Sequence, residues 1–298
     1  MIENNYWWER INKTPSEKKT VHEFMIEQNF TWKVLTLPCF TFVNGKYVEI
    51  EKHRVFARSD DLKPIYVVKK QFKLLDNEEC FKIADEFKKK FPSSKFISCG
   101  DFLQQKKSYL TLLLKKIKIE NDEFSVYVTI TNGFDGRNAI NCIVNLVRDK
   151  DFSVFQMFDE YHKNIWTLGR KNITQKFNHI SNELEIYLGY AQNLIKKMNS
   201  IQIDLNDTIT PIFSINLKKS KSVNSHLAEE KEYIREIYLK NNGRSVYDLY
   251  MAMSNYYCHY KSHFEKKSNA DIRFDFAMCG YFYNLYNYGK YLIKKFNI

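Results

Sequence analysis

Apolar and polar residues alternate over most of residues 31–148, a pattern that predicts β-strands joined by tight turns. The clearest case is residues 126–148, where Val126, Val128 and Ile130 occupy alternate positions before a turn at residues 132–136. Four later apolar residues keep the same period of two: Ile140, Cys142, Val144 and Leu146. The turn contains two glycines, which adopt positive φ without steric cost, so the pattern predicts a hairpin.

Shorter strands and two helices complete the first half of the chain. Residues 40–50 predict a hairpin whose turn is Asn44-Gly45, the strongest short hairpin signal present. A capping box at residues 14–17 predicts a helix that runs to about Gln28, and apolar spacing predicts a second helix from Asp76 that ends before Pro92. The remaining predicted strands are residues 31–37, 55–57, 65–68, 96–98 and 108–119.

A seven-residue repeat then replaces the alternation and predicts a long helix at about residues 172–199. Two interpretations fit it: an amphipathic helix lying on the sheet, or a helix–helix contact within the chain or between subunits. The second makes this stripe, with tyrosines nearer the C-terminus, a candidate oligomer or partner interface. The stripe contains Ile173, Phe177, Ile180, Leu184, Tyr187, Ala191, Leu194 and Met198, and the tyrosines are Tyr257, Tyr281 and Tyr288.

The C-terminal third is predicted to be mostly helical. A short strand is expected at residues 209–217, a polar basic loop at residues 218–222 marks a boundary, and residues 223–298 predict three helices. The fold class is therefore α+β: a mainly antiparallel sheet of hairpins covered on one face by one helix, then the long amphipathic helix and a C-terminal helical bundle. The predicted regions are a helical arm at residues 1–30, the α+β core at 31–217 and the helical region at 223–298.

The charge balance adds a nucleic-acid hypothesis. The net charge of +11 suits an acidic partner, although A/T-rich coding would also produce a chain rich in lysine, and the basic cluster named below can instead be a solvated rim. Basic residues interleaved with aromatic ones would line a groove for a single strand. The candidates are Lys106, Lys107, Lys115, Lys116, Lys118, Arg137 and Arg148.

Other composition features limit the function classes. The six cysteines form no C-x-x-C pair and are expected to be small core residues in a reducing cytosol. No segment approaches the about 18 apolar residues that span a bilayer, and the N-terminus lacks the apolar stretch of a signal peptide. We therefore expect a soluble cytoplasmic protein with no membrane partner.

Catalytic motifs are absent from the sequence. His259 and His263 are four positions apart, so they would face one way on a helix, but no third metal ligand accompanies them. The acidic pairs Asp60-Asp61 and Asp149/Asp151 fit turn and cap positions, and nothing marks them as convergent. With no phosphate-binding or nucleophile motif, neither an enzyme nor a cofactor is expected.

Several separated segments, in order, resemble a phage and plasmid family catalogued as domain of unknown function 932. They are residues 29–34, 53–60, 67–68, 72–79, 131–136, 147–148 and 247–259. The family's turn carries His where this chain has Phe134, and its Cys-Asn pair is missing from residues 149–154. The resemblance implies an origin in a mobile element and implies no reaction.

Two functions follow as hypotheses. The first is a non-enzymatic accessory protein that self-assembles and binds a host protein, for example to inhibit a nuclease-type antiphage complex, since aromatic residues are favoured interface anchors. The alternative is a single-stranded nucleic-acid binding or annealing protein for phage replication.

Overall fold

The structure is a computed structural model, and it describes residues 6–135, 139–156, 164–168, 176–214, 223–259 and 268–298. Two antiparallel sheets organise this part of the chain. The strands are β1 (Val34–Val43), β2 (Lys46–Arg58), β3 (Pro64–Lys69), β4 (Lys95–Phe102), β5 (Lys107–Ile119), β6 (Asp122–Gly133), β7 (Ile140–Arg148), β8 (Val154–Phe155) and β9 (Ile165–Leu168). The helices are α1 (Val21–Glu27), α2 (Asn77–Phe81), α3 (Ile83–Lys90), α4 (Phe177–Ser200), α5 (Leu205–Ser214), α6 (Val223–Lys240), α7 (Val246–Cys258), α8 (Ser268–Met278) and α9 (Tyr283–Phe296), after a 3₁₀ turn at Trp7–Arg10.

The larger sheet has the order β4-β5-β6-β7-β8, with β9 also paired to β7. The predicted hairpin at residues 126–148 is confirmed as β6 and β7, which pair Val126 with Leu146 and Val128 with Val144. The part of its turn at residues 136–138 lies outside the described residues. Every residue of β6 except Glu123 is buried, so this hairpin is the centre of the sheet.

Helices cover both faces of this sheet, where the sequence pattern predicted one covered face. Asn132 of β6 donates its side-chain amide to the Leu75 carbonyl, just before α2, at 2.9 Å. Asn145 of β7 points to the opposite face and donates to the Met278 carbonyl of α8 at 2.9 Å. Successive side chains of a strand point to opposite faces of the sheet, so these two amides contact helical segments on opposite sides of it.

The smaller sheet has the order β1-β2-β3. The predicted turn between β1 and β2 is confirmed: Asn44 has φ of 48° and Gly45 has φ of 78°, as a type I′ turn requires. β3 pairs only with residues 53–57 of β2. The smaller sheet is therefore three-stranded at its base and two-stranded towards its turn.

Several local predictions are wrong. The strands predicted at residues 31–37 and 55–57 are parts of β1 and β2, and the helix predicted from Asp76 is divided into α2 and α3. The first helix begins at Val21 and not near Pro15, because Thr20 and Glu23 form the capping box while Ser16 is extended and pairs with Phe96. Residues 205–214 form α5 and not a strand, since Asp204 Oδ1 accepts hydrogen bonds from the backbone amides of the first turn. The predicted last helix is interrupted next to Gly280 and forms α8 and α9.

The α+β fold class is confirmed, and a continuous hydrophobic core passes through all three predicted regions. It includes Trp7, Val128 and Leu292. The indole of Trp7 donates a hydrogen bond to the carbonyl of Cys258 in α7 at 2.9 Å, and this bond links the N-terminal segment to the helical region. No helix in the described ranges has both the length and the apolar character that crossing a membrane requires.

Candidate functional site

The two-stranded end of the smaller sheet, residues 40–50, is the largest concentration of exposed apolar side chains among the described residues. We call it the distal hairpin. β1 and β2 pair along it from Phe40 with Glu49 to Val43 with Lys46, and neither β3 nor any helix covers it. Its exposed apolar members are Phe40, Phe42, Val43, Tyr47, Val48 and Ile50.

Both faces of the distal hairpin present apolar groups. Phe42 and Tyr47 are directly opposite each other, with ring centroids 5.1 Å apart, and they are 63% and 78% exposed. The other face carries Val43 and Val48. In a hairpin that belongs to a monomer, one face normally packs on the core, so exposure on both faces is unusual for a soluble surface.

The stripe of the seven-residue repeat lies elsewhere and is not an exposed interface. The described members of the stripe are buried within the chain, where α4 packs against α3, α7 and β5. Both the sheet and a helix–helix contact within the chain therefore cover this helix, and its apolar side is not available to a second subunit in this fold. The buried members are Phe177, Ile180, Leu184, Tyr187, Ala191, Leu194 and Met198, whereas Ile173 lies outside the described residues.

The predicted interface tyrosines are also mostly internal. Tyr257 and Tyr288 are buried, and their hydroxyls donate to Oε1 of the buried Glu230 at 2.5 Å and 3.4 Å. Burial, followed by the charge of Glu230, raises the pKa of Tyr257 far above its usual value, which keeps the hydroxyl protonated as a donor. Only Tyr281 of the three reaches solvent, at 37% exposure.

The predicted basic groove is divided between two ends of the large sheet. Lys107 pairs with Gly133 at one end of β5, and Lys118 pairs with Glu123 at the other. Lys118 comes eleven positions after Lys107 along the strand, a distance of roughly 37 Å at about 3.4 Å per residue. Lys106 lies with Lys107, and Lys115 and Lys116 lie with Lys118, so the described members do not form one continuous groove. Arg137 lies outside the described residues.

Several of these cations are already paired with carboxylates. Lys107 Nζ is 2.7 Å from Asp275, and Lys116 Nζ is 2.7 Å from Asp149. Lys106 Nζ is 5.8 Å from the centre of the Tyr66 ring. Lys115 and Lys118 are exposed on β5. A phosphate backbone would have to compete with the internal partners of the paired lysines, which weakens the nucleic-acid hypothesis.

Arg148 is a structural cation at the junction of β7 and α7. It is buried, and its guanidinium donates to both carboxylate oxygens of Asp151 and, at 3.3 Å, to Asp122. Burial by itself would lower the pKa of Arg148, but the hydrogen bonds and charge of Asp151 outweigh it and raise the pKa. Burial would raise the pKa of Asp151, but Arg148 lowers it below its usual value. Arg148, Asp122 and Asp151 thus form a buried ion cluster in which the carboxylates balance the charge of the guanidinium, and Arg148 is not part of an exposed binding surface.

His259 lies beside this cluster at the end of α7, in edge-on contact with the Trp8 ring at 4.6 Å between centroids. Burial lowers its pKa, an effect that the Asp151 charge only partly opposes, so the imidazole is neutral near pH 7. His263 lies outside the described residues. Within the ranges that the structure covers, no three His, Cys, Asp or Glu side chains are arranged to hold a metal ion.

The cysteines provide no activated nucleophile. All six are buried free thiols, as the sequence predicted for core residues. Burial raises the pKa of Cys99 to about 12 and that of Cys258 to about 12. Such thiols stay protonated near neutral pH, whereas the nucleophilic form is the thiolate.

A cleft of about 440 Å³ between α1, the residues before β1 and the start of α2 is the second candidate site. Trp32 and Asn77, both buried, line it, and His22 and Glu78 lie at its rim with 3.2 Å between Nδ1 and Oε1. Phe134 contacts the Trp32 ring edge-on with centroids 5.8 Å apart. Two of the segments that carry the family resemblance, residues 29–34 and 72–79, therefore line this cleft, and a third, residues 131–136, contacts it through Phe134.

Sequence reasoning did not single out either feature as a site. The Asn44-Gly45 turn was the signal for the distal hairpin, but the sequence does not show that both of its faces are exposed. No family model, curated protein sequence or solved structure matches the chain, so the resemblance to domain of unknown function 932 stays a prediction.

Proposed function

We propose that this protein acts without catalysis, by binding protein through the distal hairpin, and that a second copy of the chain is its first partner. The observation that supports the proposal is the exposure of aromatic and aliphatic side chains on both faces of a two-stranded projection. A contiguous exposed apolar patch of this kind is typical of a protein–protein contact.

Hairpin energetics favour the same function. An isolated two-stranded hairpin is marginally stable in water, and residues 40–50 receive no support from a third strand or a helix of the described chain. A partner that covers Phe42 and Tyr47 would bury apolar area and stabilise the hairpin.

The edge of β1 favours a second copy as that partner. Among the described strands, β1 pairs only with β2, so its other edge carries unpaired backbone donors and acceptors. An edge strand can pair antiparallel with its own copy about a two-fold axis, because the same residues then serve both subunits. Pro38 removes a single donor from this edge and leaves residues 40–43 able to pair.

The assembled form would present further hairpin surface to a host protein. The mobile-element origin implied by the family resemblance makes a nuclease-type antiphage complex the host target that we propose, and occlusion of that complex requires no catalytic residue in the inhibitor. The nucleic-acid alternative has less support, because Lys107, Lys116 and Arg148 already have carboxylate partners.

Light scattering after size-exclusion chromatography at micromolar concentration tests the proposal. The wild type should be an oligomer, and the double substitution Phe42→Ser with Tyr47→Ser should be a monomer. Tyr283→Ser is the matched control, since Tyr283 is 68% exposed on α9, and it should leave the oligomer unchanged. A monomeric wild type that also retains no host protein in a pull-down from infected cells would refute the proposal.

A further inference from the structure

We propose that the exposed side of α9 binds single-stranded nucleic acid, with tyrosine rings as stacking surfaces for the bases and lysines as phosphate contacts. This site is separate from the distal hairpin and from the lysines of β5, so it goes beyond the proposed function.

The helix α9 is amphipathic, and its outward side combines tyrosines with lysines. Its buried residues, which face the core, are Leu285, Tyr288, Gly289 and Leu292. Four other residues recur at intervals of three or four positions, which places them together on the opposite side: Tyr283, Tyr286, Lys290 and Lys294. These positions span a rise of about 16 Å at about 1.5 Å per residue, or roughly five stacked nucleotides at about 3.4 Å each.

The aromatic rings on this side are accessible and lie next to a cation. Tyr283 is 68% exposed, and Tyr281, just before the helix, is 37% exposed. The centroids of the Tyr281 and Tyr286 rings are 5.2 Å apart, and Lys290 Nζ lies 4.8 Å from the centre of the Tyr286 ring. Surfaces that bind single strands have this composition, because bases stack on the rings while the backbone follows the positive charge.

The charge of this part of the chain favours a polyanion. Residues 276–298 contain three lysines and neither aspartate nor glutamate. Lys290 and Lys294 are both exposed. Lys294 has no ion pair with a carboxylate in the described part of the chain, whereas Lys107 of β5 is paired with Asp275. A phosphate at Lys294 would therefore not have to displace a carboxylate.

The combination of lysine with tyrosine favours nucleic acid over a protein partner. Tyrosine is enriched in the cores of protein interfaces, but lysine is depleted there, because its ammonium group is strongly hydrated. A duplex offers the same phosphates as a single strand, but its bases are stacked on each other and are not accessible to the tyrosine rings. A single strand satisfies both the rings and the charges.

Fluorescence anisotropy with the full chain and a labelled oligothymidylate of about fifteen nucleotides tests the site at low salt. The wild type should bind the single strand more tightly than a duplex of the same length. Tyr283→Ala should weaken binding by roughly five-fold or more, which corresponds to the loss of one stacked base. The same titration with oligouridylate shows whether RNA or DNA is bound more tightly.

The dependence of binding on salt tests the lysines separately. The double substitution Lys290→Met with Lys294→Met should reduce the slope of log affinity against log salt concentration by about 1.4, because two phosphate contacts contribute about 0.7 each. The matched control, Lys52→Met with Lys69→Met, removes the same charge from exposed positions of the smaller sheet and should leave the slope unchanged.

Three results would overturn the proposal: no binding at low salt, equal affinity for the duplex, or wild-type affinity and salt slope in the α9 variants. If those variants bind the oligonucleotide normally but lose a co-purified protein, α9 is a protein-binding surface instead. The substituted side chains are exposed, and if Tyr283→Ala does not fold, the salt slope of the lysine variant still decides. Light scattering reports self-association independently, so a failure here is distinguishable from a failure of the distal hairpin.

Discussion

The hydroxyl of Tyr247 donates to Oδ2 of Asp122 at 2.6 Å, although the two residues are 125 positions apart in the chain. The bond joins the first turn of α7 to the first residue of β6, so the helical region and the sheet share a buried polar contact. Asp122 also accepts from Arg148 and is 2.7 Å from Lys150. Burial would raise the pKa of Asp122, but the hydrogen bonds of Lys150 and Tyr247 lower it below its usual value.

Tyr247→Phe should destabilise the fold without changing its shape. The substitution removes a donor to a buried carboxylate, a class of hydrogen bond that contributes about 1.5–3 kcal/mol. We expect a decrease of this size in the free energy of unfolding, measured by urea denaturation at neutral pH. Tyr283→Phe, on the exposed side of α9, should change the same quantity by less than about 0.5 kcal/mol. An equal effect of both substitutions would show that the Asp122 contact is not a stabilising one.

Arg148→Met separates the structural role of this residue from a nucleic-acid role. Without the guanidinium, the buried Asp151 loses its cationic partner and Asp122 keeps only Lys150 among the described cations, so the free energy of unfolding should fall by about 3–5 kcal/mol. Lys115→Met, which removes an exposed cation on β5, should change it by less than about 0.5 kcal/mol. A fully stable Arg148→Met protein with weakened binding to a single-stranded oligonucleotide would instead support the groove hypothesis.

His259 should make stability depend on pH in mildly acidic solution. Its pKa is lowered in the fold, chiefly by burial, so below about pH 6.5 the unfolded chain binds a proton that the folded chain does not. Stability therefore decreases as the pH falls, by at most about 1.4 kcal/mol per pH unit. Asp151 also has a lowered pKa, so it too contributes to the free energy of unfolding. That contribution is lost only below the usual aspartate pKa of 3.8, so the pH range in which Asp151 acts lies below the range in which His259 acts.

Urea denaturation at about pH 7 and about pH 5 measures this effect. The wild type should be less stable at the lower pH, and His259→Asn should lose much of the difference. His179→Asn is the control, because His179 is exposed on α4 and should leave the dependence as in the wild type. If His259→Asn keeps the full difference in stability between the two pH values, groups other than His259 cause that difference.

Local signals were enough to predict the hairpins but not the choice between competing helix starts. The period of two and the Asn44-Gly45 turn are properties of neighbouring residues, so β1, β2, β6 and β7 were predictable. Residues 14–17 and 20–23 both have the sequence of a capping box. The structure uses the second, because Ser16 donates its backbone amide to the Phe96 carbonyl at 2.8 Å. That partner lies far away in the sequence, so no local pattern contains it.

The candidate sites depended even more on tertiary information. Apolar periodicity shows that one side of a segment avoids water, but it does not show whether the cover is the same chain or another one. In α4, residues such as Leu184 are covered by the chain itself. In the distal hairpin, Phe42 and Tyr47 are not covered by the described chain. Trp32 and Asn77 come from separate segments, and only the folded chain brings both to the lining of one cleft.

Two glycine-to-alanine substitutions should have opposite effects, because the two glycines differ in backbone conformation. Gly189 lies within α4, and a Cβ there would meet no atom within 4 Å, so Gly189→Ala should stabilise the protein by about 0.5–1 kcal/mol in urea denaturation. Gly45 has φ of 78°, which costs an alanine about 1–2 kcal/mol. Gly45→Ala should therefore weaken the distal hairpin.

Hydrogen exchange distinguishes this local effect from global unfolding. In Gly45→Ala, the paired amides of residues 40–50 should exchange faster, by roughly five- to thirty-fold, while those of β6 keep their protection. If the distal hairpin forms the self-association contact, the oligomer should also dissociate more readily in Gly45→Ala than in Gly189→Ala. Faster exchange with an unchanged oligomer would mean that the subunits meet elsewhere, since a contact through the hairpin requires the hairpin to be formed.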